Sequence, residues 1–164
     1  MHYRMKRSLL SCIFGISCLL LSCIKGAVYE KHFAFKGHRW TQKDSVQFSF
    51  NITDTASNYL LFLMMRHTEA YPFSNLWLKT NTRLPDGKST GYLNTEIPLA
   101  EESGKWLGRG MNEIWEHKMP LTKNGGAMHF SQTGQYTISL KQIMRMNPLP
   151  EIMSMGIRLE KVPR

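Results

Sequence analysis

The stretch Val46-Gln47-Phe48-Ser49-Phe50-Asn51-Ile52 decides the fold. Apolar and polar residues alternate at every position, which is the period-two pattern of a β-strand with one buried face. Shortly after it, residues 59–65 (YLLFLMM) are apolar without interruption. Periodicity alone does not separate a buried strand from a helix in such a run. Its shortness and the turn-rich sequence on both sides favour a central strand that is covered on both faces.

Strand patterns continue to the C-terminus. Further strands are predicted at residues 76–84, 90–97, 112–119, 135–143 and 155–162. The turns between them have suitable chemistry, because proline presets φ and glycine permits a positive φ in segments such as PDGK at 85–88 and KNGG at 123–126. Short strands at intervals of about 8–12 residues, with no long helical pattern, predict an all-β fold. We expect a single antiparallel β-sandwich, plain or jelly-roll-like, with an up-and-down barrel as the competing fold.

The N-terminus has the layout of an export signal. Arg4, Lys6 and Arg7 precede thirteen uncharged residues at 9–21, whereas a membrane-spanning helix needs about 20 apolar residues. The segment ends in Leu-Leu-Leu-Ser-Cys at 19–23, which resembles the lipobox of bacterial lipoproteins. That resemblance implies cleavage before Cys23 and lipidation of this cysteine. The competing interpretation is an ordinary secretory signal with an incidental cysteine.

These features predict the domain organisation. Residues 1–22 are the lipoprotein signal peptide, residues 23–43 are the lipidated cysteine, a tether and a first extended stretch, and residues 44–164 are the β-sandwich domain. Because Cys12 and Cys18 leave with the signal, Cys23 is the remaining cysteine of the mature chain. The mature domain is therefore expected to have no disulfide, no thiolate nucleophile and no cysteine-based zinc site.

The chain is basic, with 21 Lys and Arg residues, 12 Asp and Glu residues and a net charge of +9. The predicted mature chain, without the three basic residues of the leader, has a net charge of +6. A basic surface attracts nucleic acid, anionic lipid or acidic partners. The Lys and Arg residues are scattered along the chain and do not form a contiguous block, and no RNA-binding signature occurs. We therefore expect no nucleic acid as a partner, and a solvated face is the simpler interpretation of the charge.

The sequence does not predict a reaction centre. Glu113, Trp115 and His117 could share one strand face, where a histidine and a carboxylate serve as a general base or metal ligands, but such residues also form solvent-exposed pairs. Each of the other mature-chain histidines, His67 among them, is isolated and is expected to be structural or exposed. Nucleophile-elbow, zinc-protease and phosphate-loop motifs are absent. We therefore predict no catalytic residues, no metal and no cofactor; an envelope hydrolase would need a carboxylate pair or a metal site.

Two aromatic segments are candidates for partner contact. Tyr71, Phe73 and Asn75 lie in a proline-containing connection between two apolar strands, and Trp106 lies in the glycine-punctuated loop at 104–110. Tyrosine and tryptophan are favoured at interfaces because they bury a large area at a small cost in entropy. The alternative is that these aromatics close the ends of the sandwich.

The same segments carry a family resemblance. YPFSNL at 71–76, GKWLG at 104–108 and GIRLEK at 156–161 together are similar to the gliding-motility lipoprotein GldH family of Bacteroidota, over about residues 29–162. The resemblance implies a non-enzymatic envelope lipoprotein tied to gliding motility and type IX secretion, with Cys23 as its lipid (palmitate) anchor and other envelope proteins as partners. Asp44-Ser45-Val46 and Asp54-Thr55-Ala56 also resemble O-glycosylation triplets of exported Bacteroidota proteins.

The location of the protein in the envelope and the identity of any ligand are predicted separately from the family resemblance. Because no acidic run follows Cys23, we expect a position on the outer membrane facing the periplasm. The alternative function is a periplasmic glycan- or ligand-binding β-sandwich, in which an exposed Trp77, Trp106 or Trp115 would stack on sugar rings.

Overall fold

The computed structural model describes residues 27–162 and consists almost entirely of β-strands. The predicted signal peptide and Cys23 lie outside the described residues. In chain order the strands are β1 (Ala27–Ala34), β2 (Arg39–Trp40), β3 (Val46–Ile52), β4 (Asn58–Thr68), β5 (Asn75–Arg83), β6 (Leu93–Pro98), β7 (Arg109–Met111), β8 (Ile114–Pro120), β9 (Met128–His129), β10 (Gly134–Gln142), β11 (Leu149–Pro150) and β12 (Ile152–Val162). Short 3-10 turns occur at Lys36–His38 and Lys123–Gly125. Within the described part of the chain, no helix is long and apolar enough to cross a membrane.

The strands form two main antiparallel sheets. The large sheet has the order β1-β12-β4-β8-β7, with β9 beside the beginning of β4. The small sheet has the order β3-β10-β5-β6, and β11 pairs with β2 as a separate short ribbon. Each main sheet keeps its own edge strands, so the two sheets form a sandwich rather than one closed sheet. The predicted all-β fold is confirmed.

The core lies between the inner faces of these sheets. β3 has the alternating burial that its sequence predicts, with every second residue from Val46 to Ile52 buried. The other strands of the two sheets contribute inward side chains that are at most 6% exposed: Leu61, Leu63, Met65, Leu76, Leu78, Ile138, Leu140, Met155, Ile157 and Leu159. Burial of one such side chain stabilises the fold by about 1.5–3 kcal/mol, so packing between the sheets is the main source of stability.

The apolar run at 59–65 is the middle of β4, which lies between β12 and β8. Its central position is confirmed, but the cover on its second face is partial. Phe62 points away from the core and is half-buried, and the amine of Lys118 lies 4.1 Å from the centre of its ring. The outer face of β4 is therefore shielded by long side chains of the next strand, not by a second layer.

The first extended stretch is strand β1, which pairs with β12 along most of its length. The ring of Tyr29 on β1 lies 5.4 Å from the ring of Phe50 on β3, so this strand also contacts the small sheet. The sandwich thus includes residues before the expected domain start at residue 44. β1 is an edge strand with mostly exposed side chains, and for this reason it lacks a clear hydrophobic alternation.

Candidate functional site

A cluster of aromatic and imidazole side chains lies where the ends of β4 and β8 meet. The register pairs Met65 with His117 and His67 with Trp115, which places both histidines on the inward face. His67 and His117 are 0% and 2% exposed, and their Nε2 atoms are 2.9 Å apart. We call His67, Tyr71, Trp106, Trp115 and His117 the histidine–tryptophan cluster. Two sequence-based expectations are therefore wrong: His67 is not isolated, and His117 does not form a solvent-exposed pair with a carboxylate. The register joins residues that are 50 positions apart in the sequence.

The hydrogen bonds fix the tautomers of the histidine pair. His67 Nδ1 lies 2.7 Å from the carbonyl oxygen of Thr68, and a carbonyl only accepts, so Nδ1 carries the proton. In the neutral ring Nε2 of His67 is then an acceptor, and His117 donates from its own Nε2. Burial lowers the pKa of His117 to about 4, with a smaller electrostatic contribution from His67 that opposes a second charge in the pair. Burial also lowers the pKa of His67, against the opposing effects of the Thr68 carbonyl and Glu69.

The Trp106 loop covers this pair. The Trp106 ring stands edge-on to the His67 ring at 4.5 Å, and its Nε1 donates to the Glu69 carboxylate at 3.2 Å. Trp115 Nε1 donates to the second oxygen of the same carboxylate. The loop backbone approaches closely, because a Cβ at Gly108 would lie 2.6 Å from the carbonyl oxygen of Glu116 and 2.9 Å from the His117 ring. Glycine at this position is required by the contact and not by a turn.

The four residues predicted to contact a partner lie in two different parts of the structure. Tyr71 is 4% exposed, its hydroxyl donates to the carbonyl of Asn75 at 2.9 Å, and burial raises its pKa. Trp106 is half-buried within the same cluster. Both side chains are thus part of the histidine–tryptophan cluster. Phe73 and Asn75 are half-buried and line a surface groove, and the Phe73 ring also packs against the core 5.9 Å from the Tyr71 ring.

Phe73 and Asn75 line a shallow groove of about 450 Å³ together with Trp77 and Arg145. The guanidinium carbon of Arg145 lies 5.2 Å from the centre of the Phe73 ring, a cation–π contact. Arg145 comes from the segment after β10, which continues beside β5 through a hydrogen bond from Ile143 N to Trp77 O of 3.0 Å. Sequence reasoning missed Arg145, because nothing local indicates that this segment extends the small sheet.

A second groove of about 730 Å³ runs between the free edge of β6 and the end of β8. Its walls are mainly apolar, with Ile97 and Met119 among the lining residues, and His117 also lines it. Leu93 and Leu107 at its rim are 66% and 55% exposed. The histidine–tryptophan cluster therefore borders an open, apolar side of the sandwich.

The outer face of the large sheet carries a network of ion pairs. Arg158 bonds both Glu30 and Glu160, and Lys118 bonds Glu160 at 2.7 Å. The hydrogen bond from Lys118 lowers the pKa of Glu160, and bonds from His32 and Arg158 lower the pKa of Glu30. Among residues 27–162, no group of three or more His, Cys, Asp or Glu side chains is placed to hold a metal ion.

Comparison with solved structures finds distant β-rich likenesses. A family GH115 4-O-methyl-α-glucuronidase is 14% identical with a TM-score of 0.44, covering 84% of this chain and 18% of its own. The carbohydrate-binding module CBM28, specific for non-crystalline cellulose, is 8% identical with a TM-score of 0.42, covering 82% of this chain and 73% of its own. Likenesses at this distance carry no argument about function.

Sequence comparison finds much nearer relatives. The family model described as GldH lipoprotein matches residues 27–159. A gliding motility lipoprotein GldH homolog of Christiangramia forsetii is 31% identical over 164 residues, covering 94% of this chain and 98% of the relative. The gliding motility lipoprotein GldH of Flavobacterium johnsoniae is 29% identical over 150 residues, covering 87% of this chain and 90% of the relative. The chain therefore belongs to the GldH lipoprotein family.

Proposed function

We propose that this protein is a non-enzymatic lipoprotein of the gliding-motility machinery, associated with type IX secretion, that holds a β-sandwich at the outer membrane on its periplasmic side. The family match over residues 27–159 is the observation that carries the proposal. A leader with basic and then apolar residues at 1–22, followed directly by Cys23, supports the anchor.

The tether between anchor and domain is short. Ala27 is the first residue of β1, so three residues separate it from Cys23. Four extended residues reach about 14 Å at most. Because β1 is hydrogen-bonded into the large sheet, the sandwich has to stay near the bilayer that holds the lipid. This geometry suits a component that is placed at the membrane for other envelope proteins to bind.

The polar groups of the histidine–tryptophan cluster support a structural role for that region. The two imidazoles bond each other, and the Glu69 carboxylate accepts from both Trp106 and Trp115. Groups that are bonded in this way hold the Trp106 loop on the end of the sandwich. We assign partner contact instead to the surface groove that Phe73 and Asn75 line. The exposed Trp77 lines the same groove.

The anchor is tested by replacing the cysteine. In the native host, Cys23→Ala should abolish incorporation of a palmitate analogue and release the protein from the membrane fraction. Cys18→Ala within the leader is the matched control and should be labelled normally. Retention of label and membrane binding by Cys23→Ala would show that this cysteine is not the anchor.

The machinery role is tested by crosslinking in whole cells followed by purification from envelopes. Wild-type protein should recover motility or type IX secretion proteins, and Phe73→Ala with Asn75→Ala should recover less of them. The control is Met111→Ala, since Met111 is 75% exposed and lies outside the groove. Recovery of no envelope protein by the wild type contradicts the machinery role, and equal recovery by all variants contradicts the assigned surface.

A further inference from the structure

The outer face of the small sheet carries positive charges that are not neutralised within the described part of the chain. Lys79 of β5 and Lys141 of β10 are directly opposite each other in the strand register. Arg83 lies on the same face four residues after Lys79, which corresponds to about 13 Å along a strand. We call Lys79, Arg83 and Lys141 the cationic strip. None of the three forms an ion pair with an acidic side chain among residues 27–162.

Like charges directly opposite each other in a sheet cost stability. The amine of Lys79 lies 4.6 Å from the centre of the Tyr92 ring, on the β6 side of β5, and this cation–π contact does not neutralise its charge. The acidic side chain on this face, Glu96, accepts a hydrogen bond from Asn75 at 2.6 Å. An anion bound between the opposed Lys79 and Lys141 would offset this cost.

Several hydroxyl and amide side chains lie beside the strip on this face. Ser49 and Thr137 are joined across β3 and β10 by a hydrogen bond of 2.9 Å, and Ser139 lies opposite both Gln47 and Asn81. These groups can donate to and accept from sugar hydroxyls. Two aromatic rings border the strip, since Trp77 is 38% exposed and Tyr92 is 71% exposed. Exposed aromatic faces can pack against the apolar faces of sugar rings.

From this combination we propose that the outer face of the small sheet binds an acidic polysaccharide of the uronic-acid class. Its carboxylates would bind the cationic strip, its hydroxyls would bind the surrounding amides and hydroxyls, and its rings would pack on Trp77 or Tyr92. An anionic membrane would also meet the positive charge. However, a membrane-binding face gains from apolar side chains that insert, and polar side chains fill the space between the cations here.

This ligand would add to the proposed function. The proposal rests on that function only in that an envelope location gives the protein access to such a polymer. Binding is measured on purified full-length lipoprotein in non-ionic detergent, so its failure is separate from failure of the anchoring and crosslinking experiments. The probes are polygalacturonate and alginate, with uncharged dextran and vesicles of phosphatidylglycerol and phosphatidylcholine for comparison. Affinity for the acidic polymers should fall as the salt concentration rises.

The decisive variant is Lys79→Gln with Lys141→Gln. We expect its affinity for polygalacturonate to fall at least about tenfold, because each lysine would contribute a charge-assisted hydrogen bond. The matched control is Lys31→Gln with Lys105→Gln, which removes the same charge from exposed positions elsewhere and should change affinity less than about twofold. Circular dichroism verifies that both variants are folded.

Three results would overturn the proposal. The first is that neither acidic polymer binds at low salt. The second is that the strip variant and the control lose affinity equally, since non-specific attraction to a basic protein would explain this. The third is that binding occurs only to phosphatidylglycerol vesicles, which would assign the face to a membrane.

Discussion

Acidification should destabilise the protein through the buried histidine pair. The hydrogen bond between His67 and His117 joins two neutral rings, and both are almost completely removed from solvent. A proton on His117 would place a charge in this cluster, and a proton on His67 Nε2 would put two N–H groups face to face. In the unfolded chain both rings accept protons with a pKa of about 6.5.

The sign of the effect follows from the lowered folded pKa. Between pH 6.5 and about 4 the unfolded chain binds more protons than the folded chain, so the free energy of unfolding falls as the pH falls. For His117 alone, a shift from 6.5 to about 4 gives a loss of about 2 kcal/mol at pH 5 and about 3 kcal/mol below pH 4. The lowered pKa of His67 adds to the loss in the same direction.

Urea unfolding between pH 7.5 and 5 measures this loss, with tryptophan fluorescence as the signal, because Trp106 and Trp115 adjoin the pair. Ending the series at pH 5 keeps the contribution of Glu30 and Glu160 small, since free glutamate titrates near pH 4.3. His67→Phe with His117→Phe should remove about 2 kcal/mol of the pH dependence. His129→Gln, at an exposed position, is the matched control and should keep the wild-type dependence.

Two outcomes would refute this reasoning. A wild-type protein that loses less than about 0.5 kcal/mol over this range would show that the buried pair does not resist protonation. A double phenylalanine variant with the full wild-type dependence would place its source elsewhere. NMR titration decides directly, because a His117 ring that titrates near its ordinary pKa of about 6.5 contradicts the burial argument.

Other variants test the packing. Gly108→Ala should lower the free energy of unfolding by about 1–3 kcal/mol, because its Cβ has no room against β8; an unchanged urea midpoint would contradict the close contact. Leu63→Ala should cost about 3 kcal/mol and Met146→Ala, at a 42% exposed side chain, less than about 0.5 kcal/mol, so similar losses would be inconsistent with this core. Tyr71→Phe should cost about 1 kcal/mol because it removes a hydrogen bond. Tyr29→Phe should leave stability unchanged or higher, since the buried Tyr29 hydroxyl has no partner among residues 27–162; a loss equal to that of Tyr71→Phe would contradict this.

Strands with one buried face could be predicted from the sequence. β3 has the predicted bounds, because each apolar residue from Val46 to Ile52 faces the core and each polar residue faces outward. β1 could not be recognised as part of the sandwich, because an edge strand needs few buried side chains. Strands of two or three residues, such as β2, β7, β9 and β11, are too short to show a period.

The candidate site was harder to predict, because it depends on register between strands that are distant in sequence. The sequence indicates that the segments around Tyr71 and Trp106 matter, but it does not show which aromatics point inward. The contact between His67 and His117 needs the pairing of β4 with β8, and the opposition of Lys79 and Lys141 needs the pairing of β5 with β10. Hydrophobic periodicity gives the face of each residue within a strand and leaves the choice of partner strand open.

The two outer faces of the sandwich differ in whether their basic side chains are paired with acidic ones. This difference indicates which face binds a ligand. On the large sheet, Arg158 and Lys118 are paired with acids, although exposed ion pairs contribute little to stability. On the small sheet, Lys79 and Lys141 are opposed without an acid. Some of the basic residues that look scattered in the sequence thus lie on a face with paired charges, and Lys79, Arg83 and Lys141 lie together on a face without them. Because opposed lysines reduce stability in the free protein, a bound anion would stabilise it, and thermal unfolding should shift upward with polygalacturonate.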